Sequence, residues 1–76
     1  MSKKKEIKEI IAKALNVKIE SIKDDTSIGS IVEWDSTGHL NIYFALEEHF
    51  NITIDLELAT DVRTAKDWVN LIKNIL

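Results

Sequence analysis

Ile7, Ile10, Ile11, Ala14 and Leu15 fall at the i, i+3, i+4, i+7, i+8 spacing of a helix with one buried stripe. Ala65, Trp68, Val69, Ile72, Ile75 and Leu76 repeat that face near the other end. Only Ile52-Thr53-Ile54 alternates like a strand, and three residues without a pairing partner make a poor sheet. The pattern predicts an all-α fold. With 76 residues and no cysteine, a single small domain over residues 1–76 must be held by packing alone, with no disulfide and no thiolate metal site. So small a core leaves little room for a deep, roofed active site.

The first helix is predicted from about residue 3 to 15, with Asn16 as its left-handed stop and Val17 packing back. Its lysine-rich start opposes the helix dipole and is expected to fray. Residues 16 to 35 hold Asp24-Asp25-Thr26-Ser27 and Gly29-Ser30, which argue for a long connection. Val17, Ile19, Ile22, Ile28, Ile31 and Val32 should pin it to the core. Asp35 is the expected N-cap of a second helix that is apolar almost all round and so should lie centrally. Ile52 and Ile54 tuck into the core from an extended connection. Asp55 caps a short third helix through Leu56, Leu58 and Ala59, and Thr64 with Asp67 forms a capping box for the last one.

Charge is unevenly spread along the chain. Residues 1 to 23 sum to +4, residues 24 to 62 to −9 with no Lys or Arg, and residues 63 to 76 to +2. An acidic middle attracts basic partners and repels phosphates. Glu6 and Glu9 interrupt the basic N-terminal stretch and no aromatic accompanies its lysines, which argues against nucleic acid binding. Charges also interrupt every apolar run there, so neither a signal-peptide core nor a membrane span is expected, and the cytoplasm is the expected location. Asn51-Ile52-Thr53 is then a chance match to a glycosylation acceptor.

Few residues suggest chemistry of their own. Asp24 and Gly29 have the spacing of a calcium loop, but Ile28 stands where an oxygen ligand is needed. His39 and His49 are nearly three turns apart on one helix, too far to share a metal, and each suits a surface or packing role. Ser36, His39 and Asp35 suggest a hydrolytic triad, yet one exposed first turn neither encloses a substrate nor supplies an oxyanion site. Read from the residues alone, Ser36 is either a helix-start residue or an exposed hydroxyl offered for modification. A phosphate there would face the positive end of the helix dipole, with Asp35 opposing it.

Glu33-Trp34-Asp35-Ser36-Thr37-Gly38-His39-Leu40, followed by Tyr43-Phe44-Ala45-Leu46-Glu47-Glu48-His49-Phe50 and Ile52, resembles the acyl carrier proteins. The likeness covers nearly the whole chain and implies a small antiparallel four-helix bundle with a long first loop. It implies that Ser36 carries a covalent 4'-phosphopantetheine arm, transferred from coenzyme A by a phosphopantetheinyl transferase that brings the magnesium. Cargo would ride on the arm's thiol as a thioester. Asp35 would belong to the transferase's recognition signature. Thr37, Leu40, Glu47 and Glu48 would meet acyl-loading and acyl-processing enzymes through their basic docking patches. Such a protein is a carrier and not an enzyme, works as a monomer, and needs no metal of its own.

Three positions depart from that family's usual pattern. Thr37 stands where an apolar residue is usual, and Gly38 and Asn41 where acidic residues are common, so the negative face is thinner at its top. Trp34-Asp35-Ser36 and Gly38-His39 look more like dedicated carriers of secondary or cell-surface pathways than the housekeeping fatty acid carrier. An unmodified acidic adaptor domain is the alternative reading. If Glu47 and Glu48 are exposed docking charges, replacing both should leave stability nearly unchanged.

Overall fold

The computed structural model describes residues 2–76. Four α-helices follow one another: α1 (Lys3–Leu15), α2 (Ser36–Phe50), α3 (Leu56–Asp61) and α4 (Ala65–Ile75), with a single 3-10 turn at Ile19–Ser21 in the long first connection. The only bridged pair among the described residues is Ser27 with Thr64. The all-α bundle expected from periodicity is the observed architecture.

Helix ends are set by side chains. Ser2 Oγ accepts from the Lys5 amide at 3.2 Å, so the start of α1 is capped where fraying was expected. The lysines there are offset by Glu6 in the first turn. Asn16 and Asn51, at φ 59° and 54°, close α1 and α2 in the left-handed conformation that asparagine tolerates. Asn51 therefore has a capping role in its own right. Thr64 and Asp67 form the full reciprocal capping box of α4.

α1 and α2 run antiparallel, as two end contacts show. Leu15 at the end of α1 lies beside Gly38 at the start of α2, and Glu6 at the other end accepts from His49 Nε2 at 2.8 Å. Between them the core gathers Ile7, Ile11 and Leu15 of α1, Ile42 and Leu46 of α2, Ala59 of α3 and Trp68, Val69 and Ile72 of α4. Trp34 and Ile22 enter it from the first connection.

Four expectations need correction. α2 buries only Gly38, Ile42 and Leu46, while Leu40 and Phe44 are 48% and 58% exposed, so it covers the bundle with one face and is not its central rod. Ile75 and Leu76 are exposed, and the buried stripe of α4 ends at Ile72. In the first connection Ile22 is buried, and Val17, Ile19 and Ile31 pack against the core, but Val32 is 91% exposed. Of the two isoleucines after α2, Ile54 is buried and Ile52 only partly so.

Backbone bonds do the rest of the pinning. Ile28 N donates to Arg63 O, Ala65 N to Thr26 O and Lys66 N to Asp24 O, tying the loop to the junction between α3 and α4. Thr26, the one buried polar residue among the described ones, accepts from Lys23 N and donates to Ser21 O. Such bonds satisfy backbone groups that an unanchored loop would leave to water.

Candidate functional site

α2 begins at Ser36 because Asp35 stops the chain in an extended conformation and turns its carboxylate onto the new helix. Asp35 Oδ1 accepts from Gly38 N at 2.8 Å, and the Asp35 carbonyl accepts from His39 N at 2.9 Å. The Ser36 and Thr37 amides remain the unpaired donors of that first turn among the described residues. Asp35, Ser36 and Thr37 are all exposed. Ser36 thus presents its hydroxyl to solvent at the positive end of α2.

Gly38 explains how close this turn sits to the bundle. A β-carbon there would lie 2.3 Å from the Glu33 carbonyl and 2.8 Å from Leu15 Cδ2. The absence of an acidic residue at this position is therefore a packing requirement and not a loss of docking charge alone. The Glu33 carbonyl belongs to the tight turn in which Gly29 N bonds Trp34 O and Trp34 N bonds Ile31 O.

His39, one turn after Ser36, is committed to the fold. Its Nδ1 accepts from Trp34 Nε1 at 3.0 Å, and its Nε2 donates to the Ala59 carbonyl of α3 at 2.9 Å. The ring stacks on Trp34 and tilts against Trp68, with centroids 6.1 Å and 5.1 Å away. Neither nitrogen is left to activate Ser36, and Asp35 holds an amide instead of the imidazole. The triad does not form. Trp68 Nε1 has no partner among the described residues, and its burial costs about 1–3 kcal/mol. Spacing held a signal for His39, since 39, 42 and 46 share the buried face of α2.

A groove of 360 Å³ opens beside Ser36. Ile28, Leu40 and Leu56 give it apolar walls, and Thr60 and Arg63 give it a polar rim. Arg63 is held there by bonds from Nη1 to the Thr60 and Val62 carbonyls. Sequence reading did not single out Arg63, the first cation after the acidic middle stretch.

The expected docking residues do not act alike. Leu40 and Thr37 are exposed beside Ser36, and Glu48 is exposed further along α2. Glu47 is half-buried, and its Oε2 accepts from Ile54 N at 2.9 Å, so it serves the fold. Tyr43 beside it donates to Ile54 O at 2.9 Å, and burial pushes the Tyr43 hydroxyl up from its ordinary pKa. Replacing Glu47 must therefore cost stability, contrary to the expectation for a free surface charge.

No metal centre is assembled among the described residues. Asp24, the residue that opened the calcium-like spacing, is held by the ammonium groups of Lys4 and Lys8. Those two bonds lower its pKa from 3.8 to about 2. His49, the second histidine, pairs with Glu6 and packs edge-on against Phe50.

Residues 5–72 match the family model of the phosphopantetheine attachment site. The chain belongs to the acyl carrier protein family. It is 36% identical over 70 residues to an acyl carrier protein of Buchnera aphidicola subsp. Schizaphis graminum, spanning 92% of this chain and 89% of that one. An acyl carrier protein of Wolinella succinogenes is 35% identical over 68 residues, 90% of each. The fold matches the solution structure of a holo acyl carrier protein from Geobacter metallireducens with a TM-score of 0.84 at 23% identity, covering 99% of this chain and 86% of that one. Membership of this family brings with it a covalently attached 4'-phosphopantetheine. No helix among the described residues is long and apolar enough to cross a membrane.

Proposed function

We propose that Ser36 Oγ is the attachment point of the 4'-phosphopantetheine arm and that the chain tethers cargo for delivery to partner enzymes without catalysing a reaction itself. The observation that carries this reading is the position of Ser36: an exposed hydroxyl on the first residue of α2, at the mouth of the 360 Å³ groove, inside the matched segment.

The residues fit the group. Attachment would form a bond from Ser36 Oγ to the pantetheine-side phosphorus as the pyrophosphate linkage of coenzyme A breaks, with adenosine 3',5'-bisphosphate leaving with the bonding pair and the hydroxyl proton passing to a base of the transferase. The resulting phosphodiester would face the unpaired Ser36 and Thr37 amides and the positive helix end. Asp35 fixes the turn through Gly38 N and presents its outer edge to the transferase. When attached, the group supplies the terminal thiol that a chain without cysteine lacks. A tether of this kind replaces diffusional encounter with a high effective concentration at each partner's active site.

Partner enzymes with basic patches would meet Thr37, Leu40 and Glu48, with α3 adding the exposed acidic residues Glu57 and Asp61. Glu47 contributes chiefly by holding Ile54. Weak, salt-sensitive docking suits repeated transfer, since tight binding slows release. We read the chain as a monomer of the cytoplasm, dedicated to one pathway. The Trp34-Asp35-Ser36 and Gly38-His39 segments support the last point.

Incubation with coenzyme A and a promiscuous phosphopantetheinyl transferase, followed by intact mass measurement, tests the assignment. One phosphopantetheinyl group should be gained by the natural chain and none by Ser36→Ala. An unmodified adaptor domain would gain nothing.

A further inference from the structure

A cargo tethered beside Ser36 has two places to go: between the helices, or along the outer groove. The seam it would have to part is closed by a row of side chains on one face of α2. His39, Tyr43 and Glu47, spaced four apart, bond respectively to Ala59 O, Ile54 O and Ile54 N at 2.9 Å each. All three bonds reach backbone atoms of the segment from Ile54 into α3. Behind His39 lie Trp34 and Trp68, both fully buried and both against its ring. His39 is also part of the groove lining, so the plug begins where the groove ends.

We propose that this seam excludes cargo from the bundle interior, and that the protein carries a short or polar acyl group, held in the outer groove and not sheltered among the helices. The inference rests on the attachment reading for Ser36. Opening the seam would break hydrogen bonds of partly buried groups and displace two packed indoles, whereas a seam of aliphatic side chains could slide apart. The groove offers a short chain the apolar wall of Ile28, Leu40 and Leu56, and offers a polar end Thr60 and the Arg63 guanidinium. A long alkyl chain lying in this open groove would stay exposed to water along one side.

Loading the protein from butyryl- and dodecanoyl-coenzyme A with a promiscuous transferase gives two forms that differ only in chain length. After intact mass measurement confirms loading, thermal unfolding and native hydrophobic-interaction chromatography are compared. The two forms should melt within about 2 °C of each other, and the dodecanoyl form should be retained much longer because its chain is outside. A dodecanoyl form that melts more than about 4 °C higher and elutes with the butyryl form would overturn the inference while leaving Ser36 in place. Absence of any mass gain would overturn the attachment reading and this one with it. His39→Ala, which removes the first bond of the row and part of the plug, should make melting depend on chain length; a variant still indifferent to length would speak against His39 as the barrier.

Discussion

Trp34 Nε1 donates to His39 Nδ1 at 3.0 Å, and this bond joins the last turn of the long connection to the first turn of α2 on either side of Ser36. It fixes His39 in the tautomer that donates from Nε2 to Ala59, so one imidazole positions the loop, α2 and α3 together.

The two buried tryptophans should respond differently to the same change. Trp34→Phe leaves a void and strands His39 Nδ1, and should cost about 2–3 kcal/mol. Trp68→Phe leaves a similar void but removes an indole N–H that already lacks a partner, and should cost about 1 kcal/mol or less. Urea unfolding measures both. Equal losses would contradict the hydrogen-bond assignment.

Gly38→Ala separates helix propensity from packing. Propensity alone favours alanine by about 1 kcal/mol in a helix interior. The β-carbon, however, would meet the Glu33 carbonyl at 2.3 Å, a backbone atom that cannot swing aside. A net loss of at least about 2 kcal/mol is expected by chemical denaturation, and a stabilised variant would refute the close approach.

Glu47 and Glu48 are neighbours in sequence with separate duties. Glu47→Ala should destabilise by about 1–2 kcal/mol through the unpaired Ile54 amide. Glu48→Ala should stay within about 0.5 kcal/mol, yet Glu48→Lys should slow loading by a partner with a basic patch. Thermal unfolding and loading rates on the same variants check the division. If Glu47→Ala is neutral, its carboxylate is free and the docking role returns to it.

Acid should act on Asp24. Lys8 and Lys4 lower its pKa from 3.8 to about 2, so the ionised form stabilises the fold above 3.8 and that contribution is lost as the pH falls through about 2. Asp24→Asn should flatten this part of the stability curve while leaving the region above it parallel to the parent. Glu6, lowered by its bond from His49, persists in both proteins and cancels in the difference. An unaltered acid limb would mean the lysines do not hold Asp24 in solution.

Helix existence and ends were legible because they depend on neighbours in sequence. The stripe of Ile7, Ile11 and Leu15, the left-handed Asn16 and the Thr64 and Asp67 box are all local. What escaped was set by distant contacts. The exposed Phe44 and Leu40 cannot be told from core residues until α1 and α4 have chosen which face of α2 to cover. The need for Gly38 arises from a carbonyl five residues earlier meeting a helix start, and Glu47 finds its amide only after the chain turns back at Asn51. Ser36 itself was legible as a helix start with an exposed hydroxyl, while the groove beside it required α3 to be in place.

The most direct measurement locates the modification. Protein co-produced with a phosphopantetheinyl transferase is digested, and peptide fragmentation assigns the site of any added group. A phosphopantetheinyl group on Ser36, absent from the Ser36→Ala variant, is the result expected here. A group on any other residue, or none while a control carrier protein is modified alongside, would contradict it.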